Sequence, residues 1–381
     1  MFRSSMPRPA AGAQERPAHR SAPARTFIRR TVPLALAAVV SAAAVPATAG
    51  AAPRNARWAA LGDSYTAGIF VGDPSPALGS PDRDGCDRTT GSYPHLVADA
   101  LAAHPPGGRR VTLSDASCSG ATVTDVTTTR QTPISPVQPP AGGWPSVPPQ
   151  IDRAGLDAGT DVVTIGAGTN SLSLGPMFLA CLVVGLGRPD DATPCRDAFE
   201  SGDPALAPEP IEATYGRVAQ EYAAMLATVR RRSPHAAVVT IGYPTIFPAD
   251  ASGCDRQDTT ELAARISGLG LASVTHGDIT WLHDVTARLN RIIRAVTELS
   301  GDTYLDTAAP SVGHDVCRPA AKRWVEGVCG TAGPYWPNEL TAGAFTLTCS
   351  GDRRATYVHP DAAFHAAVAA RVEAAVRAAL T

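Results

Sequence analysis

Short apolar runs alternate along the chain with longer segments in which apolar residues recur every three or four positions. Each short run has the length of a buried strand, and each longer segment has the periodicity of an amphipathic helix. Strands that alternate with helices are typical of βαβ crossovers, so the pattern predicts a parallel sheet with helices on both faces. The five predicted strands are residues 57–61, 111–116, 161–165, 236–241 and 303–306.

Four predicted helices and two interruptions complete this outline. The helical periodicity is found in residues 93–103, 212–232, 281–299 and 361–380. Residues 132–150 are rich in proline, which predicts a surface loop. Residues 171–210 have an apolar first half and a polar, proline-bearing second half, which we interpret as an insertion. We therefore expect a single α/β domain over residues 52–381 that contains this loop and this insertion.

The N-terminal residues have the composition of an export signal. A basic stretch ends in an Arg-Arg pair at residues 29–30, residues 32–45 are apolar, and Ala-Thr-Ala at residues 47–49 forms a small-x-small cleavage pattern. The apolar run is too short to span a bilayer, which needs roughly twenty residues. A buried alanine-rich helix is the alternative, but the arginine- and proline-rich flanks argue against it. Residues 1–49 are therefore predicted to direct secretion by the general secretory or the twin-arginine route, and no later segment predicts a transmembrane helix.

Charge and composition exclude some classes of partner. The chain has 381 residues, with 33 basic and 35 acidic side chains, a net charge of −2 and 44% hydrophobic residues. This is an ordinary globular composition with enough apolar material for a core. Because there is no polybasic surface, neither nucleic acid nor an anionic membrane is a favoured partner.

Eight cysteines lie downstream of the predicted signal, and an even number in an exported chain favours disulfides. Zinc sites usually contain closely spaced pairs such as C-x-x-C, which this sequence lacks, so no metal site is predicted. The number of cysteines does not determine which of them pair. They are Cys86, Cys118, Cys181, Cys195, Cys254, Cys317, Cys329 and Cys349.

Polar residues follow the first three predicted strands, at the end of a parallel sheet where ligands bind. Gly62-Asp63-Ser64 follows the first strand, and Ser64 would lie near a helix N-terminus, which stabilises a developing anion. Capping of that helix explains Ser64 equally well when this motif is taken alone. Gly120 after the second strand and Asn170 after the third could donate hydrogen bonds to an oxyanion, although each could also be an ordinary turn residue.

A catalytic serine needs a base, and His359 has the most distinctive position among the nine histidines. It lies between a predicted extended stretch, residues 355–358, and the last helix, and Pro360 restricts its backbone to an extended conformation. His365 lies within that helix and His314 lies near a cysteine, so both are explained as structural residues.

Taken together, these blocks resemble the GDSL/SGNH hydrolase family, and in particular its branch of secreted, disulfide-bonded actinobacterial lipases and esterases. The catalytic blocks are Gly-Asp-Ser at residues 62–64, Gly120, Gly-x-Asn at residues 168–170 and His-Pro at residues 359–360. Further similar blocks cover most of the chain after the signal, and they are Cys86-Asp87-Arg88, Ser92-Tyr93-Pro94, residues 118–122, residues 147–151, Gly242-Tyr243-Pro244 and Leu289-Asn290. The G-x-S-x-G elbow of ordinary α/β-hydrolases occurs nowhere in the sequence.

The resemblance implies a three-layer α/β/α, flavodoxin-like fold around the five-stranded parallel sheet. It also implies an acyl-enzyme mechanism that needs no metal or organic cofactor, with Ser64 as the nucleophile and His359 as the general base. The Ser64 N–H, the Gly120 N–H and the Asn170 side-chain amide would hold the oxyanion. We expect a monomer that acts on a small-molecule or lipid ester.

The resemblance also implies a disulfide pattern. The three pairs usual in this branch would be Cys86–Cys118, Cys181–Cys195 and Cys254–Cys317, which leaves Cys329–Cys349 as a fourth pair. Two positions depart from the family's pattern, because Thr356 replaces an Asp often found three residues before the histidine, and Ser171 replaces the final Asp of Gly-x-Asn-Asp. We therefore predict a catalytic dyad in which the main-chain carbonyl of Thr356, and no side-chain acid, orients His359.

The leading hypothesis for the function is a secreted lipase or esterase that acts on acyl-glycerols or similar lipid esters. An esterase that removes small acyl groups from carbohydrates or polymers is the alternative, and a non-catalytic binding module on the same scaffold is a third hypothesis. The apolar residues 172–186, next to Asn170, favour fatty-acyl substrates, but core packing explains them equally well.

Overall fold

Five parallel strands form the central sheet, as the alternation of apolar runs predicts. They are β1 (Ala56–Gly62), β2 (Val111–Asp115), β3 (Val162–Gly166), β4 (Ala237–Ile241) and β7 (Thr303–Leu305). Their order is β2-β1-β3-β4-β7, and each neighbouring pair is parallel. The computed structural model describes residues 55–381, so the predicted export signal, residues 1–49, lies outside the described residues.

Helices connect the strands and include the four that the periodicity predicts. The α-helices of the described residues are α1 (Ser64–Ala67), α2 (Tyr93–Ala103), α3 (Val123–Thr127), α4 (Gln150–Arg153), α5 (Leu174–Val184), α6 (Pro194–Ser201), α7 (Ile211–Arg232), α8 (His276–Leu299) and α9 (Ala362–Leu380). Helix α8 begins at His276 and not at residue 281, because Thr275 caps it by accepting a hydrogen bond from the Asp278 N–H.

Alternate residues of β1 face opposite layers of the molecule. Trp58 and Ala60 belong to an apolar cluster with residues of α2 and α9, whereas Ala59 and Leu61 belong to a larger cluster with residues of α7 and α8. Both faces of the strand are therefore buried, which explains why its sequence is almost continuously apolar. The resulting three-layer α/β/α architecture confirms the predicted fold class.

The hydrophobic pattern does not predict a second, antiparallel sheet. This sheet has the order β6-β5-β10-β9 and consists of β5 (Ala263–Ile266), β6 (Gly270–Ser273), β9 (Glu339–Ala342) and β10 (Phe345–Thr348). A separate pair joins β8 (Cys329–Gly330) to β11 (Arg354–Ala355). Strands this short have too few alternating positions to be recognised, and β5 pairs with β10 across a long stretch of chain.

The predicted loop and the predicted insertion differ in structure. Residues 132–149, all of which the structure describes, follow an irregular path, with a single bridge between Gln131 and Val147. Residues 171–210 contain α5 and α6. The apolar side chains of α5, such as Met177 and Phe178, are buried in the larger core cluster. Core packing therefore explains this apolar segment, and its composition does not support a fatty-acyl substrate.

Four disulfides join the eight cysteines. The pairs are Cys86–Cys118, Cys181–Cys195, Cys254–Cys317 and Cys329–Cys349. The second links α5 to α6, and the fourth links β8 to the residue that follows β10. Within residues 55–381, none of the helices combines the length and the apolar character that crossing a bilayer requires.

Candidate active site

Ser64 lies at the carboxyl end of β1, an interior strand of the sheet, after a turn that requires glycine. Strand β1 ends at Gly62, Asp63 caps α1, and Ser64 is the first residue of that helix. Gly62 has a φ of 150°, and a Cβ atom there would lie 2.3 Å from the carbonyl oxygen of Gly166. The side-chain amide of Gln150 accepts a hydrogen bond from the Gly62 N–H at 2.7 Å and donates one to the Gly62 carbonyl at 2.8 Å. These contacts hold Ser64 at the carboxyl end of β1.

The carboxyl group of Asp63 is fully buried and joins the ends of three strands. It accepts hydrogen bonds from the Tyr65 N–H at 3.0 Å, the Thr169 hydroxyl at 3.0 Å and the Tyr243 hydroxyl at 2.5 Å. Thr169 follows β3 and Tyr243 follows β4, so Asp63 ties the nucleophile turn to the loops after these two strands. Burial raises the pKa of Asp63 to about 6. In the sequence Asp63 is visible only as a member of the Gly-Asp-Ser motif, because two of its partners are distant along the chain.

His359 lies directly against Ser64. Its Nε2 is 2.9 Å from the Ser64 Oγ, and its Nδ1 is 2.8 Å from the Thr356 carbonyl oxygen and 2.9 Å from that of Tyr357. Because carbonyl oxygens only accept hydrogen bonds, Nδ1 carries the proton and Nε2 accepts from the serine hydroxyl. Burial lowers the pKa of His359 to about 4, so the ring is neutral near pH 7. A neutral imidazole in this position can act as a general base.

Two aromatic side chains contact the imidazole of His359. The Tyr65 ring is 5.4 Å from it between centroids, and the Tyr65 hydroxyl donates to the Val358 carbonyl at 2.8 Å. The Phe70 ring meets it edge-on at 5.3 Å. Tyr65 is buried, whereas Phe70 is partly exposed. These rings keep water from much of the imidazole, which is the physical cause of its lowered pKa.

The segment before His359 is not extended throughout, which corrects the prediction for residues 355–358. Tyr357 and Val358 have φ values of 47° and 55°, in the left-handed region that disfavours residues with bulky or β-branched side chains. This bend turns the carbonyls of Thr356 and Tyr357 towards the ring of His359. A strained backbone of this kind persists only where tertiary contacts maintain it.

Residues 324–330, which we call the strap, supply those contacts. The strap accepts hydrogen bonds from the N–H groups of Tyr357 at 3.1 Å and Val358 at 2.9 Å. The Glu326 N–H of the strap donates to the His359 carbonyl at 2.8 Å. The pairing of β8 with β11 continues this contact towards the preceding residues. The strap therefore holds the bent segment from both sides of the bend.

The strap is in turn attached to the rest of the domain. The Val328 N–H donates to the Glu261 carbonyl at 2.9 Å, and the Cys329 N–H donates to the Thr259 carbonyl at 2.9 Å. Cys329 also forms the disulfide with Cys349. The position of His359 thus depends on contacts between segments that are far apart in the sequence.

Among the described residues, both acceptors of the His359 Nδ1 proton are main-chain carbonyls. The Thr356 hydroxyl is directed elsewhere and donates to a carbonyl of the strap at 2.9 Å. Asp352 is exposed, and Asp361 caps α9 by accepting from the Phe364 N–H at 3.0 Å. This is the geometry expected of a Ser–His dyad that the backbone orients.

The predicted oxyanion donors follow the two strands that flank β1. Gly120 follows β2 and Asn170 follows β3, and because β1 lies between these strands, their loops border the turn of Ser64. Gly120 has a φ of 80°, which favours glycine at this position. Within residues 55–381, the N–H groups of Ser64 and Gly120 have no hydrogen-bond acceptor, so both can donate to a ligand.

Asn170 and its neighbour Ser171 tie the loop after β3 to the loop after β2. The Asn170 Nδ2 donates to the Ala121 carbonyl at 3.0 Å, which orients the amide and leaves its second proton for a ligand. The Ser171 hydroxyl accepts from the Val123 N–H at 3.0 Å, at the start of α3. Ser171, which replaces the family's usual Asp, therefore helps to join the two loops.

The described residues contain one group of side chains close enough to hold a metal ion, namely Cys254, Glu261 and Cys317. Its two sulfur atoms are joined in a disulfide, so they cannot act as thiolate ligands. The group does not include Ser64 or His359.

The chain is similar to known lipases and acylhydrolases. Residues 60–367 match the model of the GDSL-like Lipase/Acylhydrolase family. Lipase 2 of Streptomyces coelicolor is 33% identical over 310 residues, which are 78% of this chain and 88% of that protein. Two solved structures, phospholipase A1 from Streptomyces albidoflavus and an extracellular lipase from Streptomyces rimosus, have a TM-score of 0.52 at 20% and 19% identity. Each match covers 84% of this chain and 99% of the other, and at this identity it supports the fold alone.

Proposed function

The chain belongs to the GDSL-like Lipase/Acylhydrolase family and is a lipase or esterase, and we propose that it is secreted and cleaves carboxylic esters through an acyl-enzyme on Ser64. The observation that carries this proposal is the 2.9 Å contact between the Ser64 Oγ and the Nε2 of His359. The Nδ1 of the same ring faces the Thr356 carbonyl at 2.8 Å, which sets the tautomer that a base requires.

In the acylation step, the Ser64 Oγ attacks the ester carbonyl carbon while the His359 Nε2 takes the hydroxyl proton. The tetrahedral oxyanion accepts hydrogen bonds from the N–H groups of Ser64 and Gly120 and from the Asn170 amide. The two carbonyls on Nδ1 stabilise the imidazolium. Its Nε2 proton then passes to the alcohol oxygen as the bond between that oxygen and the carbonyl carbon breaks.

In the deacylation step, water takes the place of the departed alcohol. His359 accepts a proton from the water as the water oxygen attacks the acyl carbon, and the same donors hold the second oxyanion. The proton returns to the Ser64 Oγ when the carboxylic acid is released. The cycle therefore uses one base, in alternate protonation states, for both steps.

Several features favour a lipid ester as the substrate and secretion as the destination. Proteins of the same family or fold carry the names lipase and phospholipase A1. Two apolar side chains lie beside the catalytic groups, with the partly exposed Phe70 at His359 and the exposed Ile134 at Gly120. Four disulfides and the export signal predicted for residues 1–49 support an extracellular location.

Fluorophosphonate labelling of the purified mature protein, together with hydrolysis of a chain-length series of nitrophenyl esters, tests the proposal. We expect stoichiometric labelling that Ser64→Ala abolishes, and turnover of esters with long acyl chains. Ser300→Ala, which changes an exposed serine at the end of α8, is the matched control and should behave like the wild type. Ordinary turnover by folded Ser64→Ala protein would refute the nucleophile. Turnover confined to acetyl esters would favour an esterase that acts on carbohydrates or polymers.

A further inference from the structure

Phe70 is the partly exposed aromatic side chain that meets the imidazole of His359. Its ring centroid is 5.3 Å from that of His359, with an angle of 70° between the rings. The φ of Phe70 is 75°, in the left-handed region that a bulky residue rarely adopts. Strained backbone of this kind occurs preferentially at functional sites, where the surrounding structure maintains it. The φ of Phe70 therefore marks it as a candidate functional residue.

A small apolar cluster, separate from the two cores around the sheet, holds Phe70 in place. The Phe70 ring packs on Trp336 at a centroid distance of 4.7 Å, and Val137 of the proline-rich loop belongs to the same cluster. The Tyr335 hydroxyl donates to the Gly72 carbonyl and so ties the cluster to the turn after Phe70. Trp336 and Val137 are buried, whereas Phe70 is partly exposed, so the ring that meets His359 has surface free for a ligand.

The reaction itself decides which part of the ester reaches Phe70. His359 must donate its Nε2 proton to the leaving alcohol oxygen, which requires the two atoms to lie about 2.6–3.2 Å apart. The first carbons of the alcohol therefore lie beside the imidazole, and the Phe70 ring, 5.3 Å from the imidazole between centroids, is within reach of a longer alcohol. The acyl chain leaves the tetrahedral carbon in a different direction from both the alcohol oxygen and the oxyanion.

We propose that Phe70 forms the wall of a subsite for an apolar alcohol moiety of the ester. This proposal rests on the proposed function and adds the alcohol side of the substrate to it. An apolar alcohol that lies on the ring removes apolar surface from water while it is still bonded to the acyl carbon, and this stabilises the acylation transition state. The contact between the alcohol and Phe70 plays no part in deacylation, because the alcohol has already left.

Two ester series separate the alcohol side from the acyl side. In the first, butanoate esters carry alcohols from methyl to octyl; in the second, methyl esters carry acyl groups from butanoyl to octanoyl. The release of acid, followed by pH-stat titration, gives kcat/KM for each ester. Phe70→Ala should lower the octyl-to-methyl ratio of kcat/KM by about tenfold and leave the octanoyl-to-butanoyl ratio within about twofold of the wild type.

Leu299→Ala is the matched control, because Leu299 is an apolar side chain, 88% exposed, at the end of α8. It should leave the octyl-to-methyl ratio unchanged. A variant with Phe70→Leu keeps part of the apolar surface and should show a smaller fall in that ratio, which preserves the test if Phe70→Ala does not fold.

Fluorophosphonate titration counts the competent active sites of each variant. An unchanged octyl-to-methyl ratio in fully labelled Phe70→Ala overturns the subsite while leaving ester hydrolysis in place. A fall in the acyl ratio alone assigns Phe70 to the acyl chain and overturns the alcohol assignment. A wild-type protein that neither labels nor hydrolyses any ester overturns the proposed function and the subsite together.

Discussion

Ser64 is held by the central sheet, whereas His359 is held by a bent segment that the strap binds. The turn of Ser64 follows β1, which pairs with a strand on each side, and Asp63 and Gln150 tie it to the neighbouring loops. The segment of His359 depends on β8 and β11, which have two residues each, and on hydrogen bonds to the strap. The two members of the catalytic pair therefore differ in how much structure supports them.

This difference predicts how the site responds to change. Many paired strand residues would have to move before Ser64 could shift, because its turn is part of the sheet. By contrast, His359 is held in its observed position by a few hydrogen bonds and the Cys329–Cys349 disulfide. We expect removal of the Ser64 hydroxyl and removal of the His359 imidazole to lower kcat equally. Substitutions that weaken the surrounding structure should displace His359 more than Ser64.

The largest expected effect is the removal of either reacting group. Ser64→Ala and His359→Ala should each lower kcat by up to roughly 10⁶-fold, and the double variant should be no worse, because the two residues act as a unit. The measurement is kcat for a nitrophenyl ester, with circular dichroism and thermal unfolding as controls for folding. Substantial kcat in folded His359→Ala would show that another group is the base.

Loss of one oxyanion donor should be milder. Asn170→Ala should lower kcat by about 10²–10³-fold, because the nucleophile and base remain while one hydrogen bond to the oxyanion is lost. Asn338→Ala, which changes an exposed loop asparagine, is the control and should retain wild-type kcat. An unchanged kcat in Asn170→Ala would make that residue purely structural, as its contact with the Ala121 carbonyl would allow.

Disulfide removal tests the support of His359 directly. Replacing Cys329 and Cys349 by serine should lower the free energy of unfolding by roughly 2–4 kcal/mol. It should also lower kcat by roughly 10–100-fold, because the strap is loosened and a misplaced base is costly. The same replacement of Cys181 and Cys195, which join α5 to α6, should lower stability alone. Equal kcat in the two double variants would show that the strap holds His359 without its disulfide.

The pH dependence of kcat/KM tests the burial of the base. Only neutral His359 can accept the serine proton, and burial lowers its pKa to about 4. We therefore expect kcat/KM to fall as the pH decreases through about 4, well below the range of an exposed histidine. Asp63, with a pKa of about 6, would add a second decrease in the pH profile of kcat/KM, and Asp63→Asn would remove this decrease. A single decrease in kcat/KM near pH 6.5 that persists in Asp63→Asn would contradict the lowered pKa of His359.

The smallest effects should come from side chains near His359 that do not orient it. Thr356→Ala keeps the carbonyl on Nδ1 and loses one hydrogen bond, worth about 0.5–1.5 kcal/mol of stability, so most activity should remain. Asp352→Asn and Asp361→Asn should likewise fall far short of the loss in His359→Ala. A collapse of kcat in either folded Asp variant would restore a side-chain acid and overturn the dyad.

The hydrophobic pattern by itself determined the central sheet of this protein. The predicted strands 57–61 and 161–165 differ from β1 and β3 by one residue at each end, because strands buried on both faces are continuously apolar and end at glycine. Ser64, Gly120 and Asn170 could be placed after adjacent strands for a related reason. In a parallel sheet, the residues that bind a ligand follow the carboxyl ends of the strands, so their order along the chain already indicates their position.

Only the tertiary structure decided how these groups are oriented. The second sheet and the strap depend on pairing between distant short segments, which leave no periodic signal in the sequence. The acceptor of the His359 proton is a main-chain carbonyl, which every residue possesses, and its direction depends on the bend at Tyr357 and Val358. Phe70 likewise acquires its contact with His359 only because folding brings together residues that are far apart in the chain.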